Sequence, residues 1–319
     1  MMNHAFNPVN PSAMNNGIPN QAMPNNGIPY CQVMGGIQPP NTQQQRIYSY
    51  SPIDPTIFNI GIDPNLDIYQ LGEIYTGICQ GLNIVAYSNV AYNNFQIEQI
   101  IEGLKNGIDT SYYANPKFNF NQMKIIKDGL YKGLDVKLYC NPEFNFDQMK
   151  IIKIGLEEGL DISKYVDPKF DFIQMEQIRL GLKEGLDISK YADPKFNAAQ
   201  MEKIRLGLEE GLDISKYVDP KFDSYQMDKI ILGLKEDLDI SKYADPKFNF
   251  AQMEQIILGL KEGLDISKYA DVKFNAFQMY QIYLGIKHGI NIDAYANPEF
   301  DCHQMEKIRI GIEFGIDYK

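Results

Sequence analysis

The sequence predicts an all-α protein, an α-solenoid of ten 26-residue units, each one helix of about 13 residues plus one short helix, preceded by a disordered tail. Three observations carry this. A glutamine recurs at Gln70, Gln96, Gln122, Gln148, Gln174, Gln200, Gln226, Gln252, Gln278 and Gln304, always 26 residues on. Around each glutamine, apolar side chains fall at helical spacing, as Met201, Ile204 and Leu208 do. Neither helix of a unit can bury its apolar face alone, so units must stack on one another.

Residues 1–45 contain no Asp, Glu, Lys or Arg and are crowded with Asn, Pro, Gly, Gln and Met. Such a segment buries too little apolar surface to offset its chain entropy, which makes it a disordered tail or tether. Asn-rich tracts can also associate, so an assembly-prone tail is the alternative. Residues 46–62 differ: Ile47, Tyr48, Ile53, Ile57, Phe58 and Ile60 suit a segment that caps the open end of the array. The array itself runs over 63–319.

Within a unit, Asn197 or its Asn/Asp counterpart stands three residues before the glutamine. That is an N-cap preference, and N/D-x-x-Q is a capping box. Phe196 before the cap and Met201 four residues into the helix are placed for a hydrophobic staple. The helix should run from about Ala198 to Glu210 and end at Gly211, where a left-handed residue suits glycine. Unit seven has Asp237 at that place, at some cost in stability. Asp213 is placed to cap a short second helix, "ISKYV", which ends before Pro220. Tyr217 and its counterparts read as core or inter-unit packing.

Gly207 and its counterpart in every unit lie inside the helix, at about 1 kcal/mol each relative to alanine. Close approach of a neighbour is the usual compensation, and the short helix is expected to cross there, too near for a Cβ. The spacing Gly207-x-x-x-Gly211 matches a membrane helix-dimer motif, but "GLEEG" is charged and its second glycine is a cap.

The net charge of −11 and pI of about 4.8 argue against binding bare nucleic acid. The opening "MMNHAFNPVN" lacks the basic start and apolar run of a signal peptide, and no stretch approaches the ~20 apolar residues of a membrane helix. A cytoplasmic protein with reduced thiols at Cys31, Cys79, Cys140 and Cys302 is the expectation, since none of them forms a CxxC pair. No HExxH, GxSxG, phosphate-cradling loop or kinase motif set is present, which argues against an enzyme. Cys302 and His303 lack further ligands for a metal, and no cofactor is expected.

Two rows are candidate partner-binding positions. The first is apolar: Ile154, Leu180, Leu206, Leu232, Leu258 and Leu284, opposite the main helix face, where units one to three have Thr76, Glu102 and Asp128. It reads either as contact with neighbouring layers or as an apolar stripe along a binding groove. The second is basic: Lys127, Lys153, Arg179 and Arg205, either a solvated charge row or a row that pairs with a partner's acidic groups. First-turn aromatics, among them Tyr69, Phe95, Phe120, Phe172, Tyr225 and Phe250, either pack locally or anchor a partner.

The repeat phrase "YADPKF…QM…I…GL…GLD" resembles short helical repeats in uncharacterised multi-repeat proteins of anaerobic gut bacteria, some linked to mobile elements. The resemblance covers most of 63–319 and implies no established activity. As an architecture, the unit is similar to the leucine-rich variant repeat, by analogy only. The function expected is a non-catalytic scaffold that binds another macromolecule, a protein partner rather than nucleic acid. The alternatives are a structural, self-assembling protein and an acidic decoy that inhibits a nucleic-acid enzyme as a mobile-element counter-defence.

Overall fold

Among the described residues, ten helices of 12 residues follow one another at a 26-residue step. They are α1 (Ile68–Cys79), α2 (Asn94–Lys105), α3 (Phe120–Tyr131), α4 (Phe146–Glu157), α5 (Phe172–Lys183), α6 (Ala198–Glu209), α7 (Ser224–Lys235), α8 (Phe250–Lys261), α9 (Ala276–Lys287) and α10 (Cys302–Glu313). The computed structural model describes residues 61–315, so the tail at 1–45 and nearly all of the capping segment at 46–62 lie outside the described residues. The described residues contain no strand. Each long helix packs chiefly on the one before and the one after it, as a solenoid requires.

The expected short second helix is a single 3-10 turn of three residues in units one to eight, for example Ile214–Lys216, and a plain turn at 293–295 in unit nine. Asp213 caps it by accepting from the Ser215 N–H. The turn stops at Lys216, three residues before the Asp219–Pro220 pair. An Asx bond from the Lys221 N–H to Asp219, at 2.9 Å, then turns the chain toward the next cap.

All ten long helices begin with a complete capping box. In unit six, Gln200 N–H donates to Asn197 Oδ1 at 3.0 Å, and Asn197 N–H donates to Gln200 Oε1 at 2.8 Å. The glutamine does more than cap. Its Nε2 donates to the carbonyls of Phe222 at 2.6 Å and Pro220 at 3.1 Å, both in the approach to the next helix. One buried amide therefore ties the start of each helix from α1 to α9 to the following unit.

Gln200→Glu tests this second role. A carboxylate still accepts from the Asn197 N–H but cannot donate to the two carbonyls, and it would be buried against them. The expected loss is about 2 kcal/mol at neutral pH. Burial against carbonyls raises the carboxyl's folded pKa above its ordinary value of about 4.3, so the loss should grow as pH rises through that range and ease in acid, where the protonated group donates again. Gln304, which is exposed and makes only the capping-box bonds, supplies the control, and Gln304→Glu should be nearly neutral. Urea melts at two pH values decide it, and equal losses at both positions would remove the inter-unit role.

Helices α1 to α9 each end in a Schellman motif. In unit six Leu212 N–H donates to Gly207 O at 2.9 Å and Gly211 N–H to Leu208 O at 3.1 Å, with Gly211 at φ 70°. Asp237 adopts the same left-handed conformation at φ 53°, and no other non-glycine residue among those described has a positive φ. Its N–H bond to Leu234 O is stretched to 3.4 Å. Asp237→Gly should therefore stabilise the array by about 1 kcal/mol in thermal or urea melts. An unchanged or lower midpoint would refute that.

The core repeats unit by unit: Phe196, Met201, Ile204 and Tyr217 are buried in unit six, their counterparts are buried in units two to nine, and the end units are less fully covered, with Leu71, Tyr87, Phe300 and Ile308 half-buried. Both members of the hydrophobic staple, Phe196 and Met201, are thus inside.

Candidate functional site

The basic row lies between layers rather than on a surface. Lys127, Lys153, Arg179 and Arg205 are each 7–9% exposed, and their charges are met by carboxylates of the preceding unit. Lys127 pairs with Glu102, and Lys153 with Asp128 at 2.7 Å. Arg179 pairs with Glu158, and Arg205 with Glu184 at 2.8 Å. Burial works against the charge of Lys153, yet its bonds to Asp128 and Glu157 leave its pKa above the ordinary lysine value, while the Lys153 bond holds the Asp128 carboxyl below its own. The same position holds Ile231 and Ile257 in units seven and eight, also buried. It is an inter-layer position that tolerates either a paired base or a hydrocarbon, so the row does not present charge to a partner.

The apolar row is half-buried at Ile154, Leu180, Leu206, Leu232, Leu258 and Leu284. Leu232, Leu258 and Leu284 pack against the core. Both readings of this row therefore survive in part: it contacts neighbouring layers and still shows apolar surface on one helix face.

The first-turn aromatics are exposed except Phe146, which is half-buried and packs against the core. Tyr69, Phe95, Tyr225 and Phe277 are 56–72% accessible, and Phe120, Phe172 and Phe250 are 40–44%. Neighbouring rings meet along one edge of the stack: Phe95 and Phe120 at 5.9 Å between centroids, Tyr225 and Phe250 at 5.5 Å. Unit six interrupts the row with Ala198 and Ala199.

A trough of about 730 Å³ lies along α3, between α2 and α4. It occurs where the apolar row stops. Units two and three carry Glu102 and Asp128 in place of Ile or Leu, and both carboxylates turn toward Lys127 and Lys153 rather than covering the helix face. Sequence reasoning missed the trough. The signal for it was the change of residue type between units three and four.

The tyrosines that follow the short turns form the other unusual feature. Tyr113, Tyr139, Tyr165, Tyr191, Tyr217, Tyr243, Tyr269 and Tyr295 are at most 1% exposed. Six of them donate to the helix carbonyl four residues before the recurrent glycine, as Tyr191 does to Gln177 O at 3.2 Å. Burial pushes all eight pKa values above the ordinary tyrosine range, that of Tyr295 to about 12. The crossing expected at Gly207 is therefore made largely by a side chain. A Cβ there would overlap the Tyr217 hydroxyl and sit 3.1 Å from Ile214 Cγ2 on the short turn.

Among the described residues, no group of three His, Cys, Asp or Glu side chains could hold a metal, and no helix is long and apolar enough to cross a membrane. Cys140 and Cys302 are free thiols, and Cys31 lies outside the described residues. No protein-family model, curated protein or solved structure matches this chain.

Proposed function

We propose that the array is a non-catalytic scaffold that binds a partner protein along its aromatic edge. The exposed ring row supports this reading. Each unit completes its core and caps without these rings, yet most units spend a large apolar side chain on the solvent edge, and contiguous exposed apolar groups mark interaction surfaces. Aromatic side chains are also the commonest interface anchors. The helix-start position constrains them little, since Ala198 and Ser224 occupy it elsewhere.

The test is a pull-down from the native host with wild-type chain and with a Phe95→Ser, Phe120→Ser, Tyr225→Ser, Phe250→Ser variant, followed by mass spectrometry. The variant should melt within a few degrees of the parent and lose the proteins that the parent retains. An identical retained set, or a variant that unfolds, would assign the rings to packing instead.

A further inference from the structure

We propose that the trough along α3 receives an acidic peptide segment of the partner that also carries an aromatic or aliphatic side chain. The inference rests on the reading of the array as a protein-binding scaffold, though not on the aromatic edge. Four lysines line the trough against two carboxylates, in a chain whose net charge is −11. Lys127 and Lys153 are consumed by their own ion pairs. Lys124 and Lys150 are exposed and have no ion-pair partner among the described residues. They project from equivalent positions on α3 and α4, helices whose axes pack roughly 8–10 Å apart, so a single bound segment can meet both ammonium groups.

Those two lysines are local departures from the repeat. The equivalent position is Glu98 in unit two and Glu176, Glu202, Asp228 and Glu254 in units five to eight. Packing therefore does not require lysine there, and the change of sign is confined to the trough. Apolar contacts complete it: Ile125 lies in its floor, Tyr131 is 75% exposed at the C-terminal end of α3, and Phe146 stands at the start of α4. Tyr131 too is peculiar to unit three, since the other units have Lys or Glu at that place from α2 onward.

From Asn121 to Tyr131 the α3 face runs about 15 Å at 1.5 Å per residue, the span of roughly five extended residues. A continuous polyphosphate fits less well, because Glu102 and Asp128 stand inside the trough and the whole chain is acidic.

Panning a phage-displayed random-peptide library on the full chain tests this, with the Lys124→Glu, Lys150→Glu variant as counter-screen. The variant installs the residue type that five other units already carry, and its melting curve checks the fold. Lys124→Gln, Lys150→Gln serves as a second variant that removes charge without reversing it. The expected result is enrichment of net-negative peptides bearing an aromatic or aliphatic residue. Their affinity should fall with added salt and be about tenfold or more weaker for the charge-reversed variant, with the glutamine variant in between.

Enrichment of neutral or basic peptides, no enrichment, or equal binding to both variants would overturn the proposal. So would a fluorescein-labelled DNA oligonucleotide that binds the parent and not the charge-reversed variant, or a parent dimer in light scattering that this variant abolishes, since each names another occupant. If the lysine variants keep both peptides and pulled-down proteins while the aromatic-edge variant loses the proteins, the trough fails and the scaffold reading stands. If acidic peptides depend on the lysines while the aromatic-edge variant keeps every partner, the trough stands and the edge assignment fails.

Discussion

Raising the pH above 10 should unfold the array in one steep step. In the unfolded chain a tyrosine gives up its proton near its ordinary value of about 10, while burial holds eight of the folded tyrosines above it. Above pH 10 the unfolded chain therefore binds fewer protons than the folded one, and stability falls as pH rises. The contribution of these residues is fully present below pH 10 and is lost through the folded values, the lowest of which is about 12 at Tyr295. Each tyrosine costs about 1.4 kcal/mol per pH unit in that window, so eight in one cooperative block cost on the order of 11 kcal/mol per unit, comparable with the whole stability of a domain. Apart from the buried Lys127 and Lys153, lysines neutralised in the same range break exposed ion pairs worth about 1 kcal/mol or less each, a smaller effect than the eight tyrosines together. Tyrosinate absorbance and helical circular dichroism should change together, within roughly one to two pH units above the tyrosine range. Helix retained while these tyrosines titrate independently would show that their hydroxyls are accessible and the burial argument wrong.

What the sequence made legible was the part built from neighbours along the chain. The capping box needs two residues three apart, and the Schellman cap needs a glycine at one offset, so Asn197, Gln200 and Gly211 announced themselves, as did the single exception at Asp237. What stayed hidden was built between units. The basic row looked like surface because its partners, Glu158 for Arg179 and Glu184 for Arg205, stand 21 residues earlier, in the preceding layer. Ile231 and Ile257 in the same register were the available sign that the position is internal. The second half of the glutamine's role was hidden for the same reason, since its acceptor Phe222 O lies 22 residues on. The trough could not be read from any one unit, because it arises where units two and three lack the apolar side chain that covers the helix face from unit four onward.

Gly207→Ala should destabilise the protein by about 3 kcal/mol, although alanine is the better helix former by about 1 kcal/mol. The glycine stands third from the end of α6, and its missing side chain is the space that the ring of Tyr217, ten residues on, occupies. A new methyl group would overlap the tyrosine hydroxyl and press Ile214 Cγ2 at 3.1 Å, so the ring must leave its buried site or the turn must shift. Either response costs overpacking or loss of a buried aromatic, terms that exceed the propensity gain. Two further variants isolate the cause. Gly77→Ala in unit one should be neutral or mildly stabilising, because a Cβ there meets only isoleucine carbons, at 3.3–3.4 Å. Tyr217→Phe removes the overlapping oxygen and forfeits no hydrogen bond, since this hydroxyl makes none. Combined with Gly207→Ala it should recover about 2 kcal/mol of the loss, leaving the ring carbon Cζ at 3.1 Å from the methyl to be accommodated by a small shift. Urea melts of the parent and the four variants, with hydrogen exchange over 197–222 to localise the change, measure these effects. Equal effects of Gly77→Ala and Gly207→Ala, or no recovery in the double variant, would sink the pairing of glycine with tyrosine as the reason each unit keeps a glycine in its helix.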